Sequence, residues 1–226
     1  MDIEPVNLKN SAYAGVLSRD SVRIALKYAD LNCLDVCACN IQNAYLQIPS
    51  SEKHFIICGT EFGLENVGKK ALIIRALYLV KRAGADYWRR VQSTINEIGL
   101  ESCKADPDIW FGSSIKDDGT YYYQYVLLYT ENILAIMQNP EDFICHELGK
   151  RCVVKSNSFG PPTQYLGNKV SYITLYNGQS VWSFSSYHYV QDAVKNVIYT
   201  VYQYIRTLPK RGKYPWNSNY IPETDT

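Results

Sequence analysis

Net charge is the first thing this sequence lacks: 23 Lys and Arg stand against 22 Asp and Glu in 226 residues. A positive field over the whole surface is excluded, so any grip on phosphates has to come from local basic patches. Long apolar runs are also missing. Stretches such as residues 126–128 are far too short to span a bilayer, and no membrane partner is expected. The first ten residues carry two acids and no apolar segment, so no secretory signal is expected and the setting is read as intracellular, cytoplasmic or nuclear. The seven cysteines include no Cys-x-x-Cys pair. Cys37 and Cys39 fall on one face of a strand as small apolar residues, and reduced thiols are expected throughout. His54, His146 and His188 have no metal-ligand spacing. The glycines of residues 63–68 lie beside Lys69 and Lys70 but lack the Gly-Lys-Ser/Thr ending of a phosphate loop.

What is present is ordinary globular material, 46% hydrophobic and 20% charged, enough for one substantial domain. Tyrosine is abundant, with 20 in all and four of them in residues 121–125. Tyrosines can stack on bases, and they also pack well on pleated surfaces; the second role is the simpler one here.

Ser18 or Asp20 can cap a helix over residues 22–31, with Ile24, Ala25, Tyr28 and Leu31 on one face. Residues 34–41 and 54–58 have strand length and composition, and the glycine-bearing stretch 59–70 predicts a surface loop. Tyr87, Trp88, Val91, Ile95 and Ile98 recur at helical spacing across 84–98, with Gly99 as the stop. Short strands are predicted at 109–111, 121–128 and 133–137, the last two joined by a polar tip. A helix follows over 140–150, opened by Pro140. Strands over 164–174 and 181–184 flank the turn signal Tyr176-Asn177-Gly178, and a helix over 187–205 closes the pattern. The proline-bearing tail after 209 predicts a linker. Mixed helices and hairpins predict an α+β domain.

Two segments invite a chemical reading. One is Cys39-Asn40-Ile41-Gln42-Asn43-Ala44-Tyr45-Leu46, at the end of a buried strand. The other is Leu128-Tyr129-Thr130-Glu131-Asn132-Ile133-Leu134, at a hairpin tip. Polymerases hold two Mg²⁺ ions with carboxylates on two adjacent strands, and a strand end facing a hairpin tip is the geometry that chemistry asks for.

Block by block, the chain resembles copia-type reverse transcriptases. The blocks are Ser18-Arg-Asp-Ser-Val-Arg-Ile-Ala-Leu, Asn40-Ile-Gln-Asn-Ala-Tyr-Leu, Ala76-Leu-Tyr, Lys104-Ala-Asp-Pro-Asp-Ile-Trp-Phe, Tyr129-Thr-Glu-Asn-Ile-Leu and Gln164-Tyr-Leu-Gly, covering residues 15–197. The resemblance implies a right-hand polymerase palm, RNA-directed DNA synthesis and Mg²⁺. It also implies dNTP and RNA/DNA primer–template as ancestral partners. It places the metal-binding carboxylates at Asn40, Glu131 and Asn132, where only Glu131 keeps a charge to offer a metal. Tyr45 matches the bulky residue that excludes a 2′-hydroxyl. The block normally written Leu-Tyr-Gly-Leu-Lys-Gln-Ala-Pro-Arg is eroded to residues 77–85, leaving Lys81 and Arg82 as nucleotide-binding candidates. Those two, with Arg89 and Arg90, could touch phosphates or form a solvated helix face. Asp106 and Asp108 read as turn residues or as substitute metal ligands.

At an effective dielectric of about 20, one carboxylate attracts Mg²⁺ at ~2 Å by roughly 16 kcal/mol before desolvation, whereas an amide keeps only a dipole. Two of three charges are lost, and the extra methylene of Glu131 shifts its oxygens by about an ångström, a misplacement that can cost ~10²-fold. Polymerisation is therefore expected to be absent. The expected organisation is a fingers remnant or linker over 1–17, a palm-type domain over 18–206 and a Pro-rich linker over 207–226, a fragment of a retroelement polyprotein. The alternative expectation is a host-retained, non-catalytic nucleic-acid-binding or interaction module.

Overall fold

A computed structural model describes residues 16–78, 80 and 82–207. The chain divides into two compact units between Ser185 and Ser186, inside the stretch expected as one palm-type domain over 18–206. Most of the expected leader over 1–17 and of the linker over 207–226, and Lys81, lie outside the described residues.

In the first unit, helix α1 (Arg19–Leu31) starts where Ser18 accepts a hydrogen bond from the Ser21 amide at 3.0 Å, with Asp20 in the first turn suited to the helix dipole. Its buried face is Val22, Ala25, Leu26 and Ala29. This corrects the expected stripe: Ile24 is 71% and Leu31 69% exposed. Both stripes have helical spacing and share Ala25, and only packing on the sheet selects between them.

The main sheet runs β1-β7-β6-β5-β4, antiparallel throughout, from β1 (Asp35–Asn40), β4 (Glu101–Ser102), β5 (Ile109–Ile115), β6 (Tyr121–Tyr129) and β7 (Asn132–Met137). Residues 133–137 of β7 are buried without interruption. That is why their sequence is an unbroken apolar run and not an alternating one: the strand is covered on both faces. Cys37 and Cys39 are buried on β1, unbridged, and desolvation pushes their thiols up to about 11 and about 12. The outer edge of β1 is closed by residues 153–160, through bridges Ala38–Gly160 and Ile41–Val154.

Helix α2 (Ala83–Glu97) buries Tyr87, Val91, Thr94 and Ile95, and Gly99 beyond it adopts the left-handed conformation at φ 95°. A two-stranded ribbon, β2 (Pro49–Ile57) with β3 (Lys70–Arg75), precedes it. The sequence reading contained no β3. The ribbon presents Phe55, Ile57, Leu72 and Ile74 to solvent. The helix expected over 140–150 is α3 (Pro140–Asp142) passing into a π-helical turn, Phe143–Leu148.

A three-stranded sheet, β10-β9-β8, is built from β8 (Gln164–Tyr165), β9 (Asn168–Thr174) and β10 (Ser180–Ser185). The strand expected over 164–174 is broken at Leu166 and Gly167, whose φ of 49° and 70° make a two-residue hairpin turn. The second unit carries helix α4 (Tyr187–Thr207). Mixed helices with antiparallel sheets make this an α+β fold. No helix among the described residues is long and apolar enough to cross a membrane.

Candidate functional site

Strands β1 and β7 run side by side with Asn40 opposite Asn132, so the two segments singled out in the sequence meet at one end of the sheet. The β6–β7 hairpin turns through Thr130 and Glu131, with Tyr129 paired to Asn132. The Ile41 amide donates to the Glu131 carbonyl at 2.8 Å, which ties the hairpin tip to the end of β1. Positions 40, 131 and 132 therefore converge.

What they form is a closed polar junction. The Asn40 amide nitrogen Nδ2 donates to Oδ1 of Asn132 at 3.1 Å. The backbone of Asn40 is held as well: its N–H donates to Ser158 Oγ at 3.0 Å and its carbonyl accepts from the Lys155 amide at 2.9 Å. Behind the hairpin, the buried Tyr165 hydroxyl donates to the Leu127 carbonyl at 3.1 Å and approaches that of Asn132 at 3.5 Å. Burial raises the Tyr165 phenol well above its ordinary range, so it stays a donor. Thr130 sits at φ 50°, a left-handed conformation that costs a β-branched residue about 1–3 kcal/mol. Strain of this kind persists only where neighbouring structure over-determines it, and here the β6–β7 pairing and Tyr165 do so.

Beside the junction stands a tyrosine cluster. Tyr45 meets Tyr78 edge-on at 4.5 Å and Tyr87 at 5.3 Å between ring centroids. The Tyr45 phenol is shifted up by burial first and by the negative charge of Glu131 second. Glu131 is thus electrostatically close to Tyr45. The Tyr87 hydroxyl is buried without a hydrogen-bond partner. A cleft of about 280 Å³ opens next to Asn40 and Asn132, and its other polar side chains, from Asn157, Ser158, Thr163, Gln164 and Tyr165, are uncharged.

The remaining candidates fall elsewhere. Arg82 approaches Glu52 at 3.9 Å. Arg89 pairs with Asp86, one turn earlier on α2. Asp106 accepts from the Ser18 amide and the Ser21 hydroxyl, pinning the start of α1. Asp108 is 2% exposed and accepts from the Trp88 indole at 2.6 Å. Both aspartates hold elements together through their side chains. Ser158, Tyr165, Tyr78 and Tyr87 went unnoticed as site residues. For Tyr165 the adjoining Leu-Gly turn was a usable signal; Ser158 offered none, because it reaches Asn40 from 118 positions away.

No family model matches the chain, and no curated protein or solved structure matches it either. The donors can be tested against the two-ion site that the resemblance implies. Two of the three positions are amides whose polar atoms bond each other, and Glu131 alone carries charge. Among the described residues no group of three or more His, Cys, Asp or Glu side chains is placed to hold a metal ion. Hard divalent cations need several oxygen ligands and enough negative charge to offset dehydration. The residues present do not fit a pair of Mg²⁺ ions.

Proposed function

We propose that this chain is the palm-type domain of a copia-type retrotransposon reverse transcriptase in which RNA-directed DNA polymerisation has been lost. The observation that carries the reading is the register of Asn40 against Asn132, with Glu131 at the tip of the adjoining hairpin. Two adjacent antiparallel strands that present three side chains at one end are what two-metal phosphoryl transfer requires. The order of six sequence blocks favours this ancestry over a chance hairpin. Tyr45 stands beside the same end, where an incoming dNTP would have met it.

The inertness follows from charge. The amide pair supplies hydrogen-bonding dipoles where transfer to an incoming triphosphate needs carboxylates, and Glu131 alone cannot replace them. Primer extension on an RNA/DNA primer–template with Mg²⁺ or Mn²⁺ tests the reading. The unaltered chain should incorporate no nucleotide, and Asn40→Asp, Glu131→Asp and Asn132→Asp together should raise incorporation above that baseline. Robust extension by the unaltered chain, abolished by Glu131→Ala, would show the inertness to be wrong. Salt-dependent, Mg²⁺-independent binding of the same duplex would favour the alternative of a retained nucleic-acid-binding module.

A further inference from the structure

Helix α4 has a composition that does not favour a solitary helix. Of its 21 residues eight are β-branched and five are tyrosine, with a single alanine. Such residues lose rotamer freedom in a helix, and helices of this kind owe their stability to packing of an apolar face. The face is present and exposed: Val190, Val194, Val197 and Val201 are each 50–62% accessible. Their spacing of four, three and four residues is that of a coiled-coil seam, and Tyr187 and Tyr204 continue it by three residues at either end.

Two features indicate what this seam fits. Read in either direction, it is Tyr-Val-Val-Val-Val-Tyr with the spacing 3-4-3-4-3. An antiparallel second copy would place Val194 against Val197 and Val190 against Val201, so that side chains of equal volume meet in every layer. The flanking positions are Gln191, Ala193, Ile198 and Thr200, all uncharged, so two identical copies meet no like-charge repulsion along the seam. The charges nearest the middle, Asp192 and Lys195, pair with each other at 3.2 Å. Antiparallel helices also set the positive end of each macrodipole beside the negative end of the other.

We propose that α4 is a self-association surface, which pairs antiparallel with α4 of a second copy of this chain through the four valines. This is independent of the reverse-transcriptase reading, and its test does not involve nucleotide incorporation.

Sedimentation equilibrium of the full chain at micromolar concentrations is the experiment, with Val194→Glu and Val197→Lys made as separate variants. The unaltered chain should be a dimer. Each variant alone should be monomeric, its self-association weakened by more than ~10-fold. An equimolar mixture of the two variants should dimerise again, because the carboxylate introduced at position 194 of one copy then faces the ammonium introduced at position 197 of the other. That recovery also demonstrates that the variants are folded. The proposal is overturned if the unaltered chain is monomeric, if either variant alone still dimerises as tightly, or if the mixture stays monomeric. A monomeric unaltered chain would mean that the face is covered by its own chain or by another kind of partner.

Discussion

The two ends of the β1–β7 ladder border clefts of different charge. At the Asn40–Asn132 end the side chains are amides bonded to each other, and the adjoining cleft of about 280 Å³ is lined without a charge. At the Asp35 end a cleft of about 710 Å³ gathers Asp30, Asp35, Glu141 and Asp142, with no Lys, Arg or His among its lining residues. The chain is therefore not poor in acids. In that acidic cleft Asp30 accepts from the Trp182 amide at 3.1 Å. Where β1 and β7 bring two polar side chains face to face at the Asn40–Asn132 end, both are amides. A cross-strand pair of like charges is destabilising, and an amide pair at the same register is a hydrogen bond.

The sharpest way to break this contrast is to put carboxylates on both members of the amide pair. Asn40→Asp with Asn132→Asp removes the 3.1 Å bond and sets two carboxylates opposite each other. A loss of about 2 kcal/mol is expected near neutral pH, from one hydrogen bond and one cross-strand repulsion. Each new carboxyl would have its folded-state pKa raised by the other, so the penalty should be full above that value and fade as pH falls. Thermal melts at neutral and mildly acidic pH check both sign and size. Asn132→Asp alone, which keeps an oxygen for Asn40 Nδ2 to donate to, should change stability much less.

A buried carboxylate just before β5 gives a second comparison. Burial raises the Asp108 pKa, and the Trp88 indole only partly offsets this. A raised folded-state pKa means the folded chain holds the proton more tightly. Asp108 therefore stabilises below its unfolded value of about 3.9, and that contribution is lost as pH rises through the folded value. Asp108→Asn keeps an acceptor for the indole and should flatten this part of the stability profile, with the gain over the unaltered chain appearing above that window. Denaturant titrations across the acidic range measure it. The smallest effect belongs to the solvated end: Asp35→Asn, the reverse exchange at the opposite terminus of β1, should shift stability by no more than about 0.5 kcal/mol.

Several features were legible before any coordinates. The Ser18 cap, the Gly99 stop, the two-residue polar tip after Tyr129 and the continuous apolar run of β7 all follow from local rules, and each was found where expected within a few residues. The candidate site was legible through the strand-end and hairpin-tip pattern, and Asn40 does meet Asn132. Other features were not. The buried stripe of α1 was misread because two stripes have equal periodicity. The strand β3 was missed because six residues directly after a glycine-bearing loop carry too short a pattern to stand out. Ser158 could not be found, since its role depends on a loop folding back along the edge of β1.

By itself, then, the order of residues determined most element types, the hairpin tips and the amides at positions 40 and 132, because turn chemistry, capping and hydrophobic period act over a few neighbouring residues. Tertiary structure alone decided that the two asparagines bond each other, that Asp106 and Asp108 hold elements together, and that Tyr165 braces the hairpin. Those outcomes depend on groups up to 92 positions apart being brought within hydrogen-bonding distance. No local preference encodes such a meeting; burial of the sheet around β7 enforces it.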